Sequence, residues 1–117
     1  MRKRHKEEDI QCVCVRWFDY KFQKIKNLLH HSPNGGKRNL REAARFKAMG
    51  TRAGFPDLIL LLPRKGYTFL TIEMKDDKGR QSLKQREMQH LMEKAGALYA
   101  ICRSFDEFKQ LTTNYLS

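Results

Sequence analysis

Apolar and polar positions alternate along this chain in two rhythms. From Glu7 to about Ile25, Cys14, Phe18, Phe22 and Ile25 recur at helical spacing, with Ile10, Val15 and Trp17 widening the stripe. This predicts an amphipathic helix. Glu7 and Gln11 lie on the same stripe, two turns and one turn before Cys14, while Glu8 sits near its edge and Asp9 off it. Two readings of Glu7 follow. It points inward towards a cation or metal, since a buried carboxylate needs a partner, or it lies in the fraying first turn and favours the helix dipole.

Residues 27–31 are short enough for a strand, and Ser32 to Gly36 read as a turn. Asn39 is placed to cap a helix from Leu40 to about Met49, stopped by Gly50. The unalternating run Leu58–Leu62 predicts a strand buried on both faces, entered through Asp57. After Arg64-Lys65-Gly66, alternation from Tyr67 to Lys75 predicts a second strand. Phe69, Thr71, Glu73 and Lys75 share one face, and Leu70, Ile72 and Met74 the other. Asp76 to Arg80 is a polar loop, with both aspartates expected in solvent. Ser82 caps a helix to about Ala95, Ala97–Cys102 forms a last strand, and Ser104 caps a final helix to about Tyr115 anchored by Phe105, Phe108, Leu111 and Leu116. Trp17 and the phenylalanines are core candidates. The order of elements implies one α/β domain over 1–117, a mixed sheet flanked by helices.

Composition narrows the function. A net charge of +11 in 117 residues, with a pI near 9.9, favours a polyanionic partner, of which nucleic acid is the commonest. The odd cysteine count, Cys12, Cys14 and Cys102, with no CxxC, argues against a disulfide framework and a structural zinc site. Leu58–Leu62 is far too short to span a bilayer, and the basic start lacks a signal-type apolar region. A cytoplasmic location is therefore expected. No nucleotide-cofactor fingerprint is present.

The chemistry concentrates in Asp57 and Glu73-Met74-Lys75. Glu73 and Lys75, two apart on a strand, project from one face. If the strand opened by Asp57 and the strand from Tyr67 to Lys75 are neighbours, the Asp57 carboxylate approaches Glu73. Two close carboxylates repel unless a cation lies between them, and a hard divalent ion suits an all-oxygen site. Such an ion activates water and polarises a phosphoryl oxygen, while a nearby lysine offsets phosphate charge. Taken separately, an ExK on a strand is usually a surface ion pair and Pro-Asp a common turn dipeptide. Together on a basic chain they describe phosphodiester hydrolysis.

Pro56-Asp57 with Glu73-x-Lys75 resembles the PD-(D/E)XK nuclease superfamily. More specifically, the chain resembles the VRR-NUC family. The matching pieces are Glu7-x-x-Ile10-Gln11, Pro33 to Arg38, Met49 to Leu58, Ile72 to Lys75, and Gly79-Arg80-Gln81-Ser82-x-x-Gln85, in the family's order and over most of the chain. The resemblance implies a restriction-endonuclease-like fold and Mg²⁺- or Mn²⁺-dependent cleavage of DNA. By position, Asp57, Glu73 and the backbone carbonyl of Met74 would hold the metal. Lys75 would position the water, Glu7 would be the helix-borne acid and a further metal ligand, and Gln85 would contact a metal water or the nucleic acid, or only cap or brace the strand. With nothing appended, the chain looks like the small stand-alone type of phages and bacteria. Similarity in fold to dimeric Holliday-junction resolvases implies a homodimer acting on branched DNA.

Asn34, Lys37 and Arg38 are candidate phosphate contacts, since a Gly-rich turn and cations suit an anion; a plain surface turn is the alternative. Arg52 and Arg80 flank the site and would extend its basic surface, as would Lys78. His30 and His31 are either phosphate contacts or structural. The competing functions are a non-catalytic basic nucleic-acid-binding module and a structural partner subunit.

Overall fold

The computed structural model describes residues 3–33 and 39–117. The elements run α1 (Lys3–Lys21), β1 (Leu29–His31), α2 (Leu40–Ala48), β2 (Leu58–Leu60), β3 (Leu70–Met74), α3 (Leu83–Lys94), β4 (Leu98–Cys102) and α4 (Phe105–Leu116). The strands form one mixed sheet in the order β1-β2-β3-β4. β2 lies antiparallel to β1 and β3, and β4 is parallel to β3. The order of helices and strands is the one the periodicity predicts.

Alternation divides the core. Leu58, Leu60, Leu70, Ile72, Met74 and Cys102 face Cys14 and Phe18 of α1 and Phe108 and Tyr115 of α4. Trp17 packs edge-on against Phe22, Phe105 and Phe108, with ring centroids 5.8–6.2 Å apart. Full burial of side chains such as Phe18, Phe108 and Leu60 stabilises the fold by roughly 1.5–3 kcal/mol each. Burial also pushes the Cys14 and Cys102 thiols up to about 12, which leaves them protonated and unreactive. The opposite face carries Ile59, Phe69, Tyr99 and Ile101 and is covered by Met88 and Met92 of α3. This second face also carries Glu73.

Element boundaries depart from the expectations for identifiable reasons. α1 starts at Lys3, ahead of the apolar stripe, in a run where Lys, Arg and Glu are good helix formers. A single 3-10 turn at Lys26–Leu28 takes the first part of the expected strand at 27–31. β2 stops at Leu60: the Leu62 amide turns back to the Leu60 carbonyl, and Leu61 is 59% exposed. Arg64 and Tyr67 then pair across a tight turn in which Lys65 and Gly66 have positive φ, so β3 begins later than Tyr67. The caps fall where expected. The side chains of Asn39, Ser82 and Ser104 accept from the amides of Glu42, Gln85 and Glu107. α2 stands apart from the core, with no buried residue.

Candidate active site

The β2–β3 register pairs Leu58 with Ile72. Extended by one place, it sets Asp57 opposite Glu73, on the face covered by α3. Asp57 is held from several sides. Its Oδ2 accepts from the Met74 amide at 2.7 Å. Its backbone carbonyl accepts from the Ser32 amide at 3.1 Å and faces His31 Nδ1 at 2.9 Å. Since a carbonyl only accepts, that ring nitrogen carries the proton. Burial holds the Asp57 carboxyl above the ordinary carboxylate range, and the Glu73 charge adds to this. The Met74 amide, His31 and Lys75 oppose it.

Glu73 is fully buried. Its Oε1 accepts from the Tyr99 hydroxyl at 2.6 Å and from Gln81 Nε2 at 3.1 Å. Burial and the Glu73 carboxylate hold the Tyr99 phenol well above the usual tyrosine range, so it remains a neutral donor. Glu73 Oε2 lies 3.6 Å from Lys75 Nζ and accepts no hydrogen bond, although it is buried. Other buried polar groups do better: the hydroxyls of Thr71 and Thr112 donate to the carbonyls of Leu98 and Phe108. A buried anionic oxygen without a donor is costly. Beside a second carboxylate and a lysine, it suits a hard divalent cation, which needs only one or two protein carboxylates and fills its other positions with water and phosphate. The residues present therefore fit such an ion.

The VRR-NUC domain model matches residues 1–106. The chain belongs to the VRR-NUC family. A solved structure of a "VRR_NUC domain protein" is similar to it at 31% identity with a TM-score of 0.81, covering 94% of this chain and 87% of that one. No curated protein matches the chain. This is a nuclease-type domain, and so one that engages nucleic acid.

The VRR-NUC domain does not bring every expected residue to the Asp57–Glu73 pair. Glu7 lies in the second turn of α1, clear of the fraying end. Its Oε2 accepts from the Asp76 amide at 3.3 Å. Among the described residues no three His, Cys, Asp or Glu side chains form a group that could hold a metal, and the Glu7 carboxylate meets the loop after β3. It braces that loop. The Gln85 side chain is also committed elsewhere: its Oε1 accepts from the Ser82 amide at 2.9 Å, completing a capping box. The glutamine that reaches Glu73 is Gln81, four residues earlier.

Asp76 corrects another expectation. It is 4% exposed, because its Oδ1 accepts from the amides of Lys78 and Gly79 at 3.0 and 2.6 Å and closes the loop on itself. Asp77 stays in solvent, 3.7 Å from Lys6. Arg103, which the sequence reading passed over, donates from one nitrogen to the carbonyls of Asp76 and Gly79 at 2.8 and 2.7 Å. A Cβ on Gly79 would fall 3.1–3.2 Å from Lys75 Cδ, Asp76 Oδ1 and Glu7 Oε2. Glycine thus lets the loop close against the lysine stem.

Arg52 lines a cavity of about 420 Å³ with His30, Ser32, Phe46 and Phe55, beside the loop that leads into Asp57. Arg80 is exposed. Asn34, Lys37 and Arg38 lie outside the described residues. Tyr99 and Gln81 are the contacts to Glu73 missed in the sequence. Tyr99 did carry a signal, since a tyrosine inside an apolar strand needs a partner for its hydroxyl. Gln81 was visible only as part of the Gly79–Gln85 motif.

Proposed function

We propose that this VRR-NUC domain is a Mg²⁺- or Mn²⁺-dependent DNA endonuclease that hydrolyses phosphodiester bonds, acts on branched DNA and works as a homodimer. The observation that carries the reading is the buried Glu73 Oε2, without a hydrogen-bond donor and flanked by Lys75. Asp57, Glu73 and the Met74 carbonyl would hold the ion. When bound, it supplies Lewis-acid polarisation of the phosphate and lowers the pKa of water. The chain's own groups do the rest. Lys75, its side chain 13% exposed and its Nζ 3.6 Å from Glu73 Oε2, would turn its protons to the attacking water and share the charge that builds on the phosphate. Met74 N–H and His31 fix the direction of Asp57. Arg52 and Arg80 extend the cationic surface towards flanking phosphates. The branched-DNA preference rests on resemblance to junction resolvases. For the dimer, Leu40 and Met49, at the ends of α2, leave apolar side chains 90% and 74% exposed.

The test is cleavage of a labelled four-way junction beside matched linear and flapped DNAs, in Mn²⁺, Mg²⁺ or EDTA. Lys75→Ala and Glu73→Ala run in parallel, and sedimentation gives the mass in solution. Metal-dependent cutting, lost in both variants and strongest on the junction, is expected. The lysine variant alone should cost roughly 10²–10⁴-fold. DNA binding without cutting in any metal would make the chain a binding module instead.

A further inference from the structure

The two oxygens of Glu73 are provided for differently. A carboxylate offers about two lone-pair sites on each oxygen. At Oε1 both are used, by the Tyr99 hydroxyl and the Gln81 amide. At Oε2 neither meets a hydrogen-bond donor. Gln81 cannot turn its amide around, because its nitrogen also donates to Gln89 Oε1 at 2.8 Å. Gln89 in turn donates to Glu93 Oε2 at 3.1 Å. A chain of side chains along α3 therefore fixes the donor that faces Glu73. Tyr99 comes from the neighbouring strand, where the parallel register sets it beside Thr71 on the same face as Glu73, and it is 7% exposed.

We propose that Tyr99 and Gln81 are positioning residues that restrict Glu73 to coordination through Oε2 alone, biasing the site towards Mg²⁺ and Mn²⁺ and against Ca²⁺. The inference rests on the metal-site reading above. Mg²⁺ demands a near-octahedral shell and takes carboxylates as single-oxygen ligands, whereas Ca²⁺ accepts six to eight oxygens and both oxygens of one carboxylate. Two-oxygen chelation by Glu73 would force Oε1 to give up a hydrogen bond inside the core. Tyr99→Phe keeps the ring and removes that donor. Gln81→Ala removes the other at a part-exposed position, where folding is less at risk.

The experiment is Mn²⁺ binding to the full chain without DNA, read from the electron paramagnetic resonance of free Mn²⁺, with Ca²⁺ as competitor. Wild type, Tyr99→Phe, Gln81→Ala and the site control Glu73→Gln are compared. Wild type should bind Mn²⁺ and Glu73→Gln should not. In Tyr99→Phe and Gln81→Ala, Mn²⁺ affinity should fall by roughly 10-fold or more, in the range for groups that orient a metal ligand. The affinity for Ca²⁺ relative to Mn²⁺ should rise. A merely structural role would weaken both ions alike, and an unchanged ratio in both variants overturns the inference while leaving the metal site intact. Wild type that binds neither ion fails the metal-site reading, and the inference falls with it.

Discussion

The ring of His31 meets the backbone carbonyl of Asp57 at 2.9 Å and donates its Nδ1 proton to it. The histidine therefore links the edge strand to the residue that opens the site. It acts on the main chain of Asp57 while the Met74 amide holds its carboxylate. His31→Ala leaves one bond from Ser32 to that carbonyl and loosens the main chain that carries the carboxylate. Cleavage should drop by roughly 10²-fold, the scale of an ångström-sized misplacement, and the melting temperature should change little because the side chain is exposed. An unchanged rate would count against any positioning role.

Asp57 itself sets up a trade between stability and chemistry. Its carboxyl lies above its ordinary value of 3.8 through burial first and Glu73 second. Between that value and the raised one, the folded chain keeps a proton that the unfolded chain has released. The group's contribution to stability is thus full below the ordinary value and lost as pH rises through the raised one. At neutral pH the ionised Asp57 is a burden on the metal-free fold. Asp57→Asn should raise the melting temperature in EDTA at pH 7, with the gain vanishing in acid, and should abolish cleavage. Thermal melts across pH with and without Mg²⁺ check this, since the ion should stabilise only the wild type.

Gly54 offers a test that alters no charge. It adopts φ +78, and a Cβ there would fall 2.4 Å from the Lys84 carbonyl oxygen and 2.9 Å from the Gln85 nitrogen. The loop that delivers Asp57 is pressed against the first turn of α3. Gly54→Ala combines left-handed strain of about 1–2 kcal/mol with overpacking against backbone of about 1–3 kcal/mol. Urea denaturation should show a loss of roughly 2–5 kcal/mol, a large share of a small domain's stability. A Gly54→Ala protein with wild-type midpoint and activity would show that the loop can lift off the helix freely.

Much of this was legible in the sequence where one rule acted locally. Strand alternation put Glu73 and Lys75 on one face, while the pairing of their strand with the one led by Asp57 stood only as a condition that the register meets. Helix spacing buried Cys14 and Phe18. What stayed hidden depended on contacts between distant segments. Asp76 and Asp77 read alike, yet only Asp76 has amides two and three residues ahead to satisfy it inside the fold. The inward stripe left Glu7 between two readings, and the loop amide that its carboxylate accepts from lies 69 residues away. Gln85 carries the family position, while a local capping box claims its side chain. Tyr99 reaches Glu73 only because β4 runs parallel to β3, a pairing that periodicity cannot reveal.

That parallel pairing also governs when the site comes into being. Antiparallel β2 and β3 are joined by a short connection and form early at small entropic cost. Glu73 and Tyr99, 26 residues apart, meet only after α3 has crossed over and β4 has docked, a non-local closure that slows folding. Until then Glu73 lacks the hydroxyl that holds its Oε1. A nascent or partly unfolded chain therefore lacks the arrangement of Asp57, Glu73 and Tyr99, which is complete only once β4 lies beside β3.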